Sequence, residues 1–514
     1  KQSISAHSSW VIKELALDLE PIELLEAFSE SDDPFLLDSG KNYADLGQYS
    51  FLGAYPFLQA SAYDEGVEVK HYAQEVSPGA RVNRLVHEEW LDCPEGDPGS
   101  LKILDELMAR FQVSNPTRFP FVGGAVGFWT YDLKDKLEKM PQSAVDDLGL
   151  PLWRFSWYDG VLVYDHEHRR YTVLACGMTE TGECRKEMAE ARVNYLSKLL
   201  EQYGQKQREK AVAQKAGPEI GKAQRHFEQQ GLEREPEIHF TVTKEQYLRD
   251  LQRVIDYIYA GDIYQANLTQ RFQMPYAKEP LKLYKALHAY NPAPFAAYLP
   301  YEDFQILSCS PERFVRITAQ GEIETRPIKG TRPRGKTPEE DASLAKELQE
   351  SIKDRAELTM IIDLQRNDLG RICRYGTVRV TDLIRLEKYP TVWHLVSTIV
   401  GQLKPDLQVS DIIKAIFPGG SITGAPKIRA MEIIEELEPY KRGLYTGSIG
   451  YIGFDGAWDT NIVIRTVVLK DGQAYFNGGG GIVADSVPET EYQESLQKIK
   501  ALAKVIAEVN SLDE

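Results

Sequence analysis

The sequence predicts an α+β protein built mainly on antiparallel sheets, and three observations predict it. Stretches such as VEVKHYAQEV (67–76) and GVLVYDHEHRRYTVLACG (160–177) alternate apolar and polar side chains, the period of a half-buried strand. KEQYLRDLQRVIDYIYAG (244–261) carries a helical pattern that ends at Gly261. Strand-like and helix-like stretches then follow one another without the strict βαβ rhythm of a doubly wound parallel sheet.

Taken in order, the chain opens on KQSISAHSSWVIKELALDL, which lacks the basic start and apolar core of a secretory signal. No later run approaches the ~20 apolar residues of a membrane span. Residues 1–200 read as strand-rich, with a hairpin turning at 166–169. Residues 201–238 are rich in Gln, Lys and Glu and poor in aromatics, so they read as a charged linker or solvated helix. Residues 239–514 form a second region of helices and strands. One echo joins the two regions: GGAVGFWTYD (123–132) and TGSIGYIGFD (446–455) share a glycine pattern that lets backbones approach closely.

The 514 residues carry 60 basic and 77 acidic side chains, a net charge of −17 that argues against nucleic acid as a partner. An anionic small substrate stays possible if the charge is locally reversed. Five cysteines without metal-ligand spacing read as reduced thiols, placing the protein in the cytoplasm.

Several segments carry chemistry. GGSITGAPK (419–427) has the glycines of a phosphate loop but lacks its Lys-Ser/Thr ending; it favours an anion near a helix start instead. GGGG (478–481) reads as a loop whose amides approach a ligand. TPEEDASLAKELQESIKDRAELTMIIDL reads as one helix with Glu347, Glu350, Asp354 and Glu357 on a stripe. A second helix carries Glu491, Glu494 and Lys498. Facing each other, two such stripes would need a cation between them, and hard oxygen ligands suit Mg2+. Lys329, between Ile328 and Gly330, gains nucleophilic character if partly buried, and a shielded Glu312 after a Pro-set turn would serve as a general acid. His394 reads as a core histidine, while Arg465 in IVIRTVVL needs an anionic partner.

GDIYQANLTQRF, SPERF, PIKGTRPRG, DRAELTMIIDLQRNDLGRI, FPGGSITGAPKIRAMEIIEELEP, RGLYTGSIGYIGFDG, NIVIRT and NGGGGIVADSVPETEYQESLQK, in this order over residues 240–502, resemble the chorismate-utilising enzyme family. LLDSG (36–40) and QYSFLGAYP (48–56) extend the resemblance to the amino-terminal region of its anthranilate synthase and aminodeoxychorismate synthase component I branches. The resemblance implies antiparallel sheets packed as a sandwich with helices outside. Within the family, Lys329 and Asn267 resemble the aminodeoxychorismate branch; anthranilate synthases carry Ala at the Lys329 position, and that branch is the alternative.

The resemblance also implies roles. Lys329 would be the nucleophile, Glu312 the general acid and Gln265 a neighbour of the reacting ring. Thr331, His394, Ser421, Tyr445, Arg465, Gly479, Gly480, Gly481 and Lys498 would bind chorismate. Glu357, Glu491 and Glu494 would hold Mg2+, with Asp354 behind them. Ammonia would come from a separate glutamine amidotransferase subunit. Ser39, Tyr49, Pro294 and Phe295 match the family's tryptophan pocket.

Overall fold

In the computed structural model, residues 9–28, 31, 33–40, 46–73, 85–93, 96–214, 237–389 and 392–511 are described. Their strands form two twelve-stranded sheets in which the paired strands run antiparallel. The first runs from Val11–Leu15 at one edge to His239–Phe240 at the other, the second from Ile328–Pro333 to Leu85–Asp92. The sheets pack face to face through aromatic side chains. Tyr451 of the second sheet meets Phe51 of the first with ring centroids 5.6 Å apart, and Phe121 stacks on the same ring at 4.4 Å. Such pairs add about 0.5–1.5 kcal/mol each beyond the apolar area they bury.

Helices cover the outer faces. Lys186–Gln214, Pro280–Tyr290 and Pro488–Ser511 bury Leu196, Tyr284 and Ile506 with Tyr171, Leu307 and Phe476 of the first sheet. Ile352–Ile372 buries Leu358, Ile362 and Leu369 with Ile323 and Ile399 of the second. The helix expected at 244–261 is Lys244–Ala260, capped by Thr243 at its start and by Gly261 at φ +84°. The hairpin expected at 166–169 joins Gly160–Asp165 to Arg170–Ala175.

Both sheets draw strands from residues 1–200 and from 239–514. Leu36–Asp38 pairs with Ala296–Tyr298 in the first, and the two echo segments pair with each other in the second, Gly127 opposite Gly450. Helix Lys186–Gln214 runs into the expected linker; residues 215–236 of that linker lie outside the described residues.

Two local expectations need correcting. GGGG is the inner end of strand Gln473–Ile482, hydrogen-bonded along Gln265–Pro275 with Gly479 opposite Thr269. The neighbouring strand approaches so closely that a Cβ on Gly479 would lie 2.2 Å from the Leu268 carbonyl oxygen, and glycine is what permits this ladder. The long acidic helix is two helices, Pro338–Glu350 and Ile352–Ile372, because Ser351 is extended and caps the second with its hydroxyl, accepting from the Asp354 amide at 3.2 Å. Glu347 and Glu350 therefore leave the stripe. Glu347 pairs with Arg332 at 2.7 Å, and Glu350 lies 3.9 Å from Lys346.

Candidate active site

Lys329 lies on edge strand Ile328–Pro333, opposite Leu395, while Thr331 lies opposite His394; the register slips between them at Gly330. Gly330 sits at φ +84°, where a Cβ would be 2.8 Å from Leu348 Cδ1, so both backbone and space demand glycine. Lys329 is partly buried, and that burial lowers its pKa. The Lys498 charge pushes the same way, against Glu357, Glu312 and Glu494.

Glu312 is buried at the turn between Gln305–Ser310 and Arg313–Ile317. Its carbonyl accepts from the Ile462 amide at 3.0 Å, and its carboxylate receives a long contact from the Ile328 amide at 3.4 Å. Burial pushes its pKa up to about 7, resisted by the Ser421 hydroxyl, the Lys329 charge and the Ile328 amide. Ser421 lies beside Glu312 without a hydrogen bond of ordinary geometry. Burial thus drives Lys329 and Glu312 alike towards their neutral forms, an amine beside a carboxylic acid.

The floor of the site is the glycine strand. Gln265 is fully buried with neither amide atom partnered, and a Cβ on Gly481 would fall 2.1 Å from its Nε2. A Cβ on Gly480 would face Lys498 Nζ, Glu491 Oε2 and Glu494 Oε1 at 3.5, 3.6 and 3.7 Å. Lys498 donates to the Gly479 carbonyl at 2.8 Å and pairs with Glu494 at 2.7 Å.

Arg465, at φ +53°, donates to the Lys498 carbonyl, and among the described residues no carboxylate pairs with it. Burial lowers its pKa, and Tyr445 is the neighbour that opposes this. Burial likewise raises the Tyr445 hydroxyl to about 12. His394 is buried and held to about 4, hence neutral, with Nδ1 3.0 Å from the Thr331 hydroxyl. It is at once a core residue and a neighbour of the site. Thr331 itself is exposed.

Glu357 and Glu491 stand on the two facing helices and act on each other electrostatically. Burial raises the Glu357 pKa, Lys329 and Lys353 draw it down, and Asp354 and Glu491 push it up again. Glu491 accepts from the Ser486 hydroxyl at 2.6 Å and lies 3.7 Å from Lys353 Nζ. The donors, three Glu carboxylates, are hard oxygen ligands of the kind Mg2+ takes. Among the described residues no three such groups close into a ligand shell; Lys329, Lys353 and Lys498 stand among them instead. Asp354 is committed to Arg332 at 3.2 Å.

Sequence reasoning missed Lys353 and Ser486, and also the buried pair Arg442–Glu438 behind the glycine strand. Lys353 and Glu357 are four apart, which was the available signal. Away from this site, Ser39, Tyr49, Pro294 and Phe295 all line one cavity of ≈ 200 Å³ between the sheets.

A family model described as chorismate binding enzyme matches residues 74–504. The chain belongs to the chorismate-binding enzymes. Anthranilate synthase component 1 of Acetivibrio thermocellus is 36% identical over 517 aligned residues, covering 98% of this chain and 96% of that protein. Aminodeoxychorismate synthase component 1 of Escherichia coli (strain K12) is 41% identical over 407, covering 79% and 82%. The crystal structure of anthranilate synthase component I from Streptococcus pneumoniae TIGR4 superposes with a TM-score of 0.71 at 29% identity, covering 96% of this chain and 99% of that one. This chorismate-binding enzyme thus has the sandwich expected from its motifs. Among its described residues no helix is long and apolar enough to cross a membrane.

Proposed function

We propose that the chain is an aminodeoxychorismate synthase component 1, converting chorismate and ammonia into 4-amino-4-deoxychorismate and water. The observation that carries this reading is the amine of Lys329, partly buried and lowered in pKa by that burial, beside Glu312, whose carboxyl burial raises to about 7. An amine there can add to a diene; the Ala of the anthranilate branch cannot.

The neutral Lys329 amine attacks ring carbon 2, the ring π-electrons shift, and the carbon 4 hydroxyl departs as water on receiving the Glu312 proton. Ammonia then adds at carbon 4 beside Gln265 as the bond from Lys329 to carbon 2 breaks and frees the neutral amine, the new ammonium returns a proton to Glu312, and the enolpyruvyl group stays in place. Arg465, Lys498 and the amides of Gly479 and Gly481, which alternate away from the ladder that takes the Gly480 amide, would hold a substrate carboxylate, which answers Arg465's want of an anion. Thr331, His394, Ser421 and Tyr445 would complete the pocket, with His394 neutral and so a hydrogen-bonding rather than a charged partner. Glu357, Glu491 and Glu494 would hold Mg2+, whose charge would bind the ring carboxylate.

Ammonia would be delivered by a separate glutamine amidotransferase subunit, in line with relatives named component 1. The second reading is anthranilate synthase component 1, favoured by the near full-length Acetivibrio relative. Incubation with chorismate, ammonium and Mg2+ separates them. The proposal expects 4-amino-4-deoxychorismate without pyruvate, whereas fluorescent anthranilate with equimolar pyruvate would end it.

A further inference from the structure

Arg442 is buried in the loop after helix Lys427–Leu437 and uses its whole guanidinium fork. Nε and Nη2 donate to the two Glu438 carboxylate oxygens at 2.8 and 2.7 Å. Nη2 also reaches the Asn267 carbonyl at 2.7 Å, and Nη1 reaches the Ile422 carbonyl at 3.0 Å and the Thr446 hydroxyl at 3.3 Å. Glu438 in turn accepts from the Thr269 amide and hydroxyl, both at 2.9 Å. The face of Arg442 lies over Tyr131, 4.6 Å from the ring centre. Burial disfavours the charge, but Glu438 keeps the Arg442 pKa above its ordinary value.

The three segments so tied each carry a residue assigned to the substrate. Ile422 follows Ser421, Asn267 is two residues from Gln265 on the same strand, and Thr446 follows Tyr445. Thr446 sits at φ +62°, a conformation rare for a β-branched residue and sustained only where its surroundings fix it. Tyr131 closes the arrangement from the amino-terminal region: its amide donates to the Gly443 carbonyl at 2.8 Å, and the Asp132 carboxylate accepts from the Gly443 amide at 2.7 Å.

A buried ion pair is poor evidence for stability, since apolar residues of equal volume often stabilise as well or better. An apolar pair could fill this space, but it could not hold two backbone carbonyls and a strained turn in one register. We infer that Arg442, fixed by Glu438, is a positioning residue that sets Gln265, Ser421 and Tyr445 around the substrate from behind. This deepens the reading of the site proposed above and rests on its assignment of those three residues to chorismate, whichever product forms.

The test is steady-state consumption of chorismate with saturating ammonium and Mg2+, for the full chain and for Arg442→Lys, Glu438→Gln and Thr446→Val, each confirmed folded by circular dichroism at the assay temperature. Lysine keeps the charge but not the fork. Misplacement of reacting groups on the scale of 1 Å costs about 100-fold, so kcat should fall about 10- to 100-fold in the first two variants. KM for chorismate should rise by much less than kcat falls, because Arg465 and Lys498 are untouched. Thr446→Val is nearly isosteric and removes both the bond from Arg442 and the one the hydroxyl donates to the Tyr445 carbonyl at 2.6 Å, so it should lower kcat about 5- to 30-fold, the effect of one to two ordinary hydrogen bonds; it decides the matter if the ion-pair variants do not fold. Arg253→Ala, which removes an exposed ion pair with Glu436 beside the same helix, should change neither constant. Folded variants with wild-type kcat, or with KM rising in step with the loss of kcat, would overturn the inference. A wild-type chain that consumes no chorismate would instead overturn the reading of the site itself.

Discussion

At Lys329 and Glu312 one physical cause shifts two groups of opposite charge towards their neutral forms. Burial removes solvation from both, which favours a free amine on one and a protonated acid on the other. Glu312 is raised from 4.5 to about 7, so its acid form is lost as pH rises through about 7. kcat/KM should therefore fall on the alkaline side with an apparent pKa near that value. Glu312→Gln should abolish this limb while lowering kcat by roughly 10²- to 10⁴-fold, the range for a general acid. The sign for stability follows from the same shift. A carboxyl whose folded pKa exceeds its unfolded value contributes stability fully below about 4.5, and that contribution is lost as pH climbs through about 7. An alkaline limb surviving in Glu312→Gln would assign it to another group. Lys329→Ala should remove any chorismate-derived adduct from the intact mass measured without ammonia; an adduct persisting there would exclude Lys329 as nucleophile.

Among elements, the glycine strand separates two requirements that one run of identical residues conceals. A methyl on Gly479 meets backbone, the Leu268 oxygen at 2.2 Å, whereas one on Gly480 meets only side-chain tips at 3.5 Å or more. Gly479→Ala should thus lose about 1–3 kcal/mol in urea unfolding through overpacking. Gly480→Ala should keep its stability or gain up to about 1 kcal/mol, yet bind chorismate more weakly because the methyl fills the space before Lys498, Glu491 and Glu494. Equal unfolding midpoints for the two variants would refute the distinction. This strand also marks the limit of what sequence reveals. The cap at Gly261 and the turn at 166–169 were legible because their causes are local. GGGG reads as a loop because glycine disfavours strands on its own, and only a neighbour 212 residues away in sequence, Leu268 against Gly480, reverses that. The acidic stripe concealed a break because the three- and four-residue spacing runs unchanged through Ser351. Arg442 and Glu438 give no local signal in the sequence, because their partners Asn267 and Thr269 lie on the distant strand Gln265–Pro275. The partial burial of Lys329 and Arg465 was easier to anticipate, since each is a charge in an apolar or glycine-flanked setting that already asks for a partner.

For the molecule as a whole, the net charge of −17 opposes an anionic substrate, while Lys353, Lys498 and Arg465 stand around Glu357, Glu491 and Glu494 and offset that charge locally. The sandwich that carries this site also encloses the ≈ 200 Å³ cavity, and its walls come from both sheets and both sequence regions. Leu37, Ser39, Tyr49 and Phe295 face it from the first sheet and its loops, Arg316, Tyr451 and Asn461 from the second. Arg313, next to Glu312 in the chain, lines it as well and is held by Asp459 at 2.9 Å. A ligand seated there would bridge layers that unfolding separates, so it would bind the folded chain and not the unfolded one. We propose tryptophan as that ligand, on the match of Ser39, Tyr49, Pro294 and Phe295 to the family pocket. At 100 times its dissociation constant it should add about 2.7 kcal/mol to folding, seen as a concentration-dependent rise in thermal midpoint. Ser39→Phe, which places a ring in the cavity, should abolish the rise without altering KM for chorismate. A midpoint that tryptophan leaves unmoved at any concentration would return the cavity to a packing defect between the sheets.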